Sequence, residues 1–196
     1  MTLKLVQAGD PVLRQSARPL TEKEIRSSRI SDLISGMREA MRGAPGVGLA
    51  APQVGYGLQL AVIEDRPEYM KDFSKAQLAE RERQPAPFQV LINPRLTIIG
   101  DERREFFEGC LSLPGLVALV PRARSVRVEC LDENGRPKVI EASGWYARIL
   151  QHEFDHLQGA MYVDRMHSRS LATVDNYNAH WRPKTLEKIR KELRLS

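Results

Sequence analysis

Gly144-Trp145-Tyr146-Ala147-Arg148-Ile149-Leu150-Gln151-His152-Glu153-Phe154-Asp155-His156-Leu157-Gln158-Gly159 reads as one amphipathic helix. Ile149, Leu150, Phe154 and Leu157 recur at helical intervals, Ser143 is placed to cap the start, and Gly159 supplies a stop. On such a helix His152 and His156 lie about one turn apart on one face, so both imidazoles reach a single ion. Glu153 then sits beside the ion without needing to bind it. Four histidines in 196 residues rarely place two in a His-Glu-x-x-His spacing by chance, so the motif points to a divalent metal.

Upstream, apolar Ile30, Leu33, Ile34, Met37 and Met41 predict a helix over 28–42, capped by Ser28 or Ser31 and stopped at Gly43-Ala44-Pro45. A glycine-rich stretch from Gly46 to Gly55 follows, then a buried strand over 58–63. Residues 64–87 hold six acidic and five basic residues and read as a solvated insertion with a short surface helix over 74–83. Strands are expected over 89–93, 96–99, 116–120 and 126–131, with a hairpin turn at Asp132-Glu133-Asn134-Gly135 and a return over 138–141. A last helix over 183–195 places Leu186, Ile189 and Leu193 on one face. Strands grouped around a few helices give an α+β fold: mostly antiparallel or mixed sheets packed around a central helix carrying the motif, with additional N-terminal and C-terminal helices.

Composition narrows the function. No apolar run approaches the roughly 18 residues of a membrane span, so an integral membrane helix is excluded. No export signal is evident, and two cysteines are too few for a disulfide scaffold, which favours reduced thiols in the cytoplasm. The net charge is +5, and residues 182–196, with six basic and two acidic side chains, supply +4 of it. The body is nearly neutral, which disfavours a DNA binder and leaves a basic tail able to touch a polyanion.

Two histidines leave a catalytic metal short of its usual three protein ligands, and cysteine is the natural third. Glu108-Gly109-Cys110-Leu111-Ser112-Leu113-Pro114-Gly115 sets Cys110 between a glycine that permits close approach and a turn that fixes direction. Cys130, inside the 126–131 strand, reads as a small buried hydrophobe. Gly46-Val47-Gly48-Leu49-Ala50-Ala51 loosely matches a dinucleotide fingerprint, but a helix precedes it and Pro52 and a strand follow, so its glycines are read as backbone that can lie against a ligand.

Together, Gly46 to Gln53, Glu108 to Ser112 and Gln151 to His156 resemble the three motifs of the peptide deformylases, complete and in the family's order, with the likeness running from about Gly9 to Arg165. The resemblance implies a catalytic domain over 1–181, followed by a basic helix or tail over 182–196. It implies that Cys110, His152 and His156 bind one divalent metal, natively iron(II), with zinc, nickel or cobalt as substitutes. Glu153 would be the general acid and base, Gln53 and the backbone N–H of Leu111 would hold the oxyanion, and Gly48 would bind substrate backbone. The implied reaction removes the formyl group from the N-terminal methionine of newly made polypeptides and releases formate.

Val47, Leu111 and Ile149 are the candidate lining of a methionine slot, Ile149 because it lies three residues before His152 on the same helix face. Many bacterial members carry Arg seven residues after the cysteine, where this chain has Val117. Arg148 stands where an apolar residue is often found, and Gly144-Trp145 with 147–151 is similar to the organellar branch. Bacterial cytosol is favoured over a mature organellar form. A metallopeptidase shares the helix motif, and a noncatalytic module would close the ion's fourth position with His167 or His180. The basic tail suggests a ribosome contact beside the packing of Leu186 and Ile189 on the body.

Overall fold

A computed structural model describes residues 3–44 and 46–195. In chain order the regular elements are α1 (Glu22–Ile25), α2 (Ser28–Gly43), β1 (Gly48–Ala50), β2 (Leu60–Asp65), α3 (Lys75–Glu80), β3 (Ala86–Cys110), β4 (Leu113–Leu131), β5 (Pro137–Ser143), α4 (Gly144–Leu157), β6 (Ala172–Thr173), α5 (Val174–Asn176) and α6 (Leu186–Leu193). Short 3-10 turns connect several of these, and a π-helical turn spans Tyr177–Trp181.

The helix expected over 28–42 is α2, and all five of its periodic apolar residues are buried. Each such side chain contributes about 2 kcal/mol when withdrawn from water. Its cap is Ser27, whose hydroxyl accepts from the Ile30 N–H, rather than Ser28 or Ser31. It ends at Gly43; the Pro45 part of the expected stop lies outside the described residues.

The named strands form one six-stranded sheet in the order β1-β2-β3-β4-β5, with β6 added on β4, and every pairing is antiparallel. The expectation of mixed sheets therefore resolves to a single antiparallel one. The short strands expected over 89–93 and 96–99 belong to one long β3, and those over 116–120 and 126–131 belong to β4. Residues 97–104 lie exposed, so no period-2 burial marks them, yet they pair across Ile99↔Ser125 and Arg103↔Ala123 around a bulge. The hairpin turn at 132–135 forms as expected: Asp132 accepts from the N–H groups of Asn134 and Arg136, and Gly135 takes φ +75°.

The 64–87 segment is more integrated than its charge suggests. Glu64 and Asp65 finish the buried strand β2, and Arg83 grips Asp65 through two 2.8 Å hydrogen bonds inside the protein. Its helix is only Lys75–Glu80, closed by a capping box between Ser74 and Gln77. This segment also caps α4. Ser143 holds the N-cap position but its hydroxyl makes no cap bond, and the Trp145 N–H instead donates to the Arg81 carbonyl at 2.8 Å. Gly144 is needed there, since at φ +60° any Cβ would sit 2.7 Å from that carbonyl oxygen.

The C-terminal helix is shorter than expected, running Leu186–Leu193 behind Thr185, which caps it through the Lys188 N–H. Ile189 is buried, and Arg190 pairs with Glu105 on β3 at 2.6 Å.

Candidate metal centre

α4 carries residues 144–157 and lies against β1, β2, β3, β4 and β5. Its buried stripe, which includes Ala147, Leu150 and Leu157, holds the histidine-bearing turn against the sheet, while Phe154 is half-buried. β3 ends at Cys110, and the turn of Leu111 and Ser112 leads into β4, so the cysteine is delivered at the tip of the longest ribbon in the sheet. These two elements bring one ligand atom each from Cys110, His152 and His156 to within 4.8 Å of one another. Sγ of Cys110 is 3.3 Å from Nε2 of His156. Among the described residues no other histidine joins this group: His167 pairs with Glu105 at 2.9 Å. Cys130 is buried, and burial pushes its thiol up from the ordinary range, as suits a core residue.

A thiol and two imidazoles at this separation fit a divalent ion with one coordination position left for substrate or solvent. The outer contacts fit as well. Glu108 accepts from Nδ1 of His152 at 3.0 Å, which orients the ring. The same carboxylate accepts two bonds from Arg122, at 3.0 and 2.9 Å, and one from Arg148. Arg122 also reaches Asp155, which Arg165 clamps with two 2.7 Å bonds. Glu108, Arg122, Arg148 and Asp155 are all buried, so the network balances charge where water cannot.

Electrostatics at the centre follow from that arrangement. Burial works against a charged Glu108, but His152 and Arg122 outweigh it and hold the carboxyl well below the usual range. Burial also opposes charge on His152, yet hydrogen bonds to Cys110 and Glu108 raise it well above an ordinary imidazole. For His156 burial dominates and, with the charges of His152 and Arg122, drives it down. Glu153 is pushed up to about 7, mainly by burial and against the pull of His152 and Arg122. Its Oε2 is buried without a hydrogen-bond partner.

Gln53 lies in a 3-10 turn, Ala51–Val54, that follows β1. Its Oε1 accepts from the Ala50 N–H at 2.9 Å, so the amide cannot flip freely, and its Nε2 is 3.3 Å from both Cys110 Sγ and Ser112 Oγ. A donor is thereby aimed beside the thiol. Gly48 on β1 is where backbone meets α4: a Cβ there would lie 2.3 Å from Glu153 Oε1.

These groups line a cleft of about 870 Å3 that includes Val47, Gly48, Gln53, Cys110, Leu111, Ile149, His152 and Glu153. The structure thus brings the sequence-derived site residues to one cleft, with His156 fully buried behind it. A second concavity of about 550 Å3, between residues 78–86 and 141–146, contains neither thiol nor imidazole. The roles of Glu108, Arg122, Arg148 and Asp155 were missed from sequence. The available signals were that Glu108 and Asp155 lie inside the quoted motifs and that Arg148 is a charge on an otherwise apolar face.

A thiol and two imidazoles beside a buried carboxylate, on an antiparallel sheet crossed by one helix, are the equipment of a metal-dependent hydrolase. The family pattern described as polypeptide deformylase matches residues 2–172. The chain is 48% identical over 172 residues to the chloroplastic peptide deformylase 1A of Solanum lycopersicum, covering 88% of this chain and 62% of that protein. It is 46% identical over 186 residues to peptide deformylase 3 of Streptomyces avermitilis, covering 95% of this chain and 81% of that one. Among solved structures it is similar to the Synechococcus elongatus peptide deformylase in complex with actinonin, with a TM-score of 0.72 and 41% identity over 85% of this chain and 82% of the other. It is also similar to the Met-Ala-Ser-bound class I type b enzyme of Acinetobacter baumannii, with a TM-score of 0.75 and 30% identity over 85% and 99%. The chain belongs to the polypeptide deformylase family.

Proposed function

We propose that this chain hydrolyses the N-formyl group of formyl-methionyl nascent polypeptides, with Glu153 moving the proton and Cys110, His152 and His156 holding the metal. The observation that carries the reading is the buried Glu153 carboxylate, unpartnered at Oε2 and set beside the three ligand atoms in one cleft. A divalent ion in that site supplies Lewis acidity towards the formyl oxygen and acidifies water towards neutrality. Glu153 takes the proton of the attacking water and delivers it to the amine nitrogen as the C–N bond breaks, leaving formate and a free N-terminus. A carboxyl near neutrality suits both halves of that transfer. Gln53 Nε2 and the Leu111 N–H donate to the oxygen as it gains charge, and each such donor is worth about 3 kcal/mol in the transition state. Gly48 presents backbone to the substrate, and Val47, Leu111 and Ile149 form the methionine slot.

The softness of a thiolate with two imidazoles suits iron(II), zinc, nickel and cobalt, and iron(II) is the ion we assign in the cell. The thiols are free, in keeping with a reducing cytoplasm. Among the described residues no helix is long and apolar enough to cross a membrane. We assign residues 1–181 to the catalytic domain, and the exposed Lys188, Lys191 and Arg194 of the 182–196 tail to a ribosome contact. That contact is tested by salt-sensitive cosedimentation lost on removing the tail.

The deciding experiment assays formate release from formyl-Met-Ala-Ser by metal-loaded protein and its Glu153→Ala variant. The variant is expected to keep its metal and lose hydrolysis. Full activity in it would refute the proton shuttle, and cleavage of internal bonds without formate release would favour a metallopeptidase.

A further inference from the structure

The cleft continues past the segment that the family pattern covers. The match ends at residue 172, where the chain turns back along β4: Ala172 pairs with Val117 and Thr173 with Leu116. The Thr173 hydroxyl accepts from the Asn176 N–H at 3.3 Å and starts α5. Tyr177 then packs its ring on Phe107 with centroids 4.6 Å apart. These contacts hold Val174 in the wall of the same cleft that contains Phe107, Leu116 and Val117. The charged groups of the cleft, Glu108, Arg148 and Glu153, are buried. Val174, by contrast, is 38% exposed, a large apolar side chain left open on the solvent side.

We propose that Val174 is a specificity-determining residue which, with Leu116 and Val117, forms an apolar wall selecting apolar over charged side chains downstream of the formyl-methionine. The inference rests on the deformylase reading and adds a selectivity to it. A charged side chain laid against this wall gives up water and finds no partner, whereas an aliphatic one exchanges water for packing. Discrimination of about tenfold is within what an apolar wall delivers.

The test measures kcat/KM for formate release from formyl-Met-Ala-Leu, formyl-Met-Ala-Glu and formyl-Met-Ala-Lys by metal-loaded wild type, Val174→Lys and Val174→Asp. The wild type is expected to prefer the Leu peptide by about tenfold. Val174→Lys is expected to raise activity on the Glu peptide above its wild-type value, and Val174→Asp to do the same for the Lys peptide, both chiefly through KM. A gain of this kind cannot come from a misfolded variant. Ratios within twofold of wild type in both variants, or a parallel fall on all three peptides, would overturn the role of Val174 while leaving the deformylase reading intact. A wild type that releases formate from none of the three would overturn both.

Discussion

Replacing Gly48 with alanine adds one methyl group where β1 passes against Glu153 of α4. That Cβ would stand 2.3 Å from Oε1 of Glu153, 2.7 Å from its carboxyl carbon and 2.9 Å from Cγ. Comfortable contact needs about 3.5 Å, so the carboxylate must retreat by about 1 Å. The strand has little room to move instead, because Gly48 pairs with Ile63, and Leu49 and Ala50 with Val62 and Ala61. Nor is Glu153 free to swing, since it is buried on the turn that carries both histidines. A 1 Å misplacement of a catalytic group costs on the order of 10²-fold in rate, while overpacking a buried site costs about 1–3 kcal/mol of stability. The assay is kcat for formate release from formyl-Met-Ala-Ser, read with metal per chain and Tm. Gly48→Ala is expected to retain its metal, melt a few degrees lower and lose about two orders of magnitude in kcat. Activity within threefold of wild type would show that the methyl group is accommodated without moving the carboxylate, and the close-approach argument would be wrong.

Glu108→Gln removes the one negative charge shared by Arg122, Arg148 and His152, and is expected to cost about 3 kcal/mol in urea unfolding and to weaken metal binding by roughly ten- to a hundredfold; stability and affinity both unchanged would mean the network is ornamental. Acid is expected to release α6: burial disfavours charge on Glu105, yet Arg190 and His167 outweigh it and lower its pKa. The stabilisation is therefore complete above the unfolded carboxyl value of about 4.3 and disappears as pH falls through the folded one. Amide exchange of residues 186–193 should accelerate below about pH 4, and Glu105→Gln should reproduce the effect at neutral pH. Exchange unaltered in that variant would show that the Glu105 carboxylate does not hold the helix.

What the sequence made legible was whatever obeys a simple period. The stripe of α2, the helical spacing around His152 and the Asp-Glu-Asn-Gly turn each state their conformation locally, and each formed where expected. The three residues proposed as metal ligands were also singled out by local pattern, two by a helical repeat and one by a glycine and a turn, and the structure brings them within 4.8 Å of one another. Residues 100–104 were not, because they face solvent and are ordered by the β3–β4 ribbon rather than by burial. The buried charges were hidden by a different cause. Glu108 meets partners 14, 40 and 44 residues away, and Asp65 meets Arg83 across the insertion, so only the tertiary structure turns these charges inward. The capping of α4 by the Arg81 carbonyl is equally nonlocal, and Ser143, which holds the N-cap position as expected, makes no side-chain cap bond.

X-ray absorption at the metal edge of the loaded protein, compared with Cys110→Ser, addresses the convergence of thiol and imidazoles most directly. One sulfur and two imidazole nitrogens from the protein, with a remaining light-atom ligand that azide displaces, is the expected first shell, and the sulfur should vanish in the variant. A sulfur signal that survives Cys110→Ser, or a third imidazole completing the shell, would contradict the account.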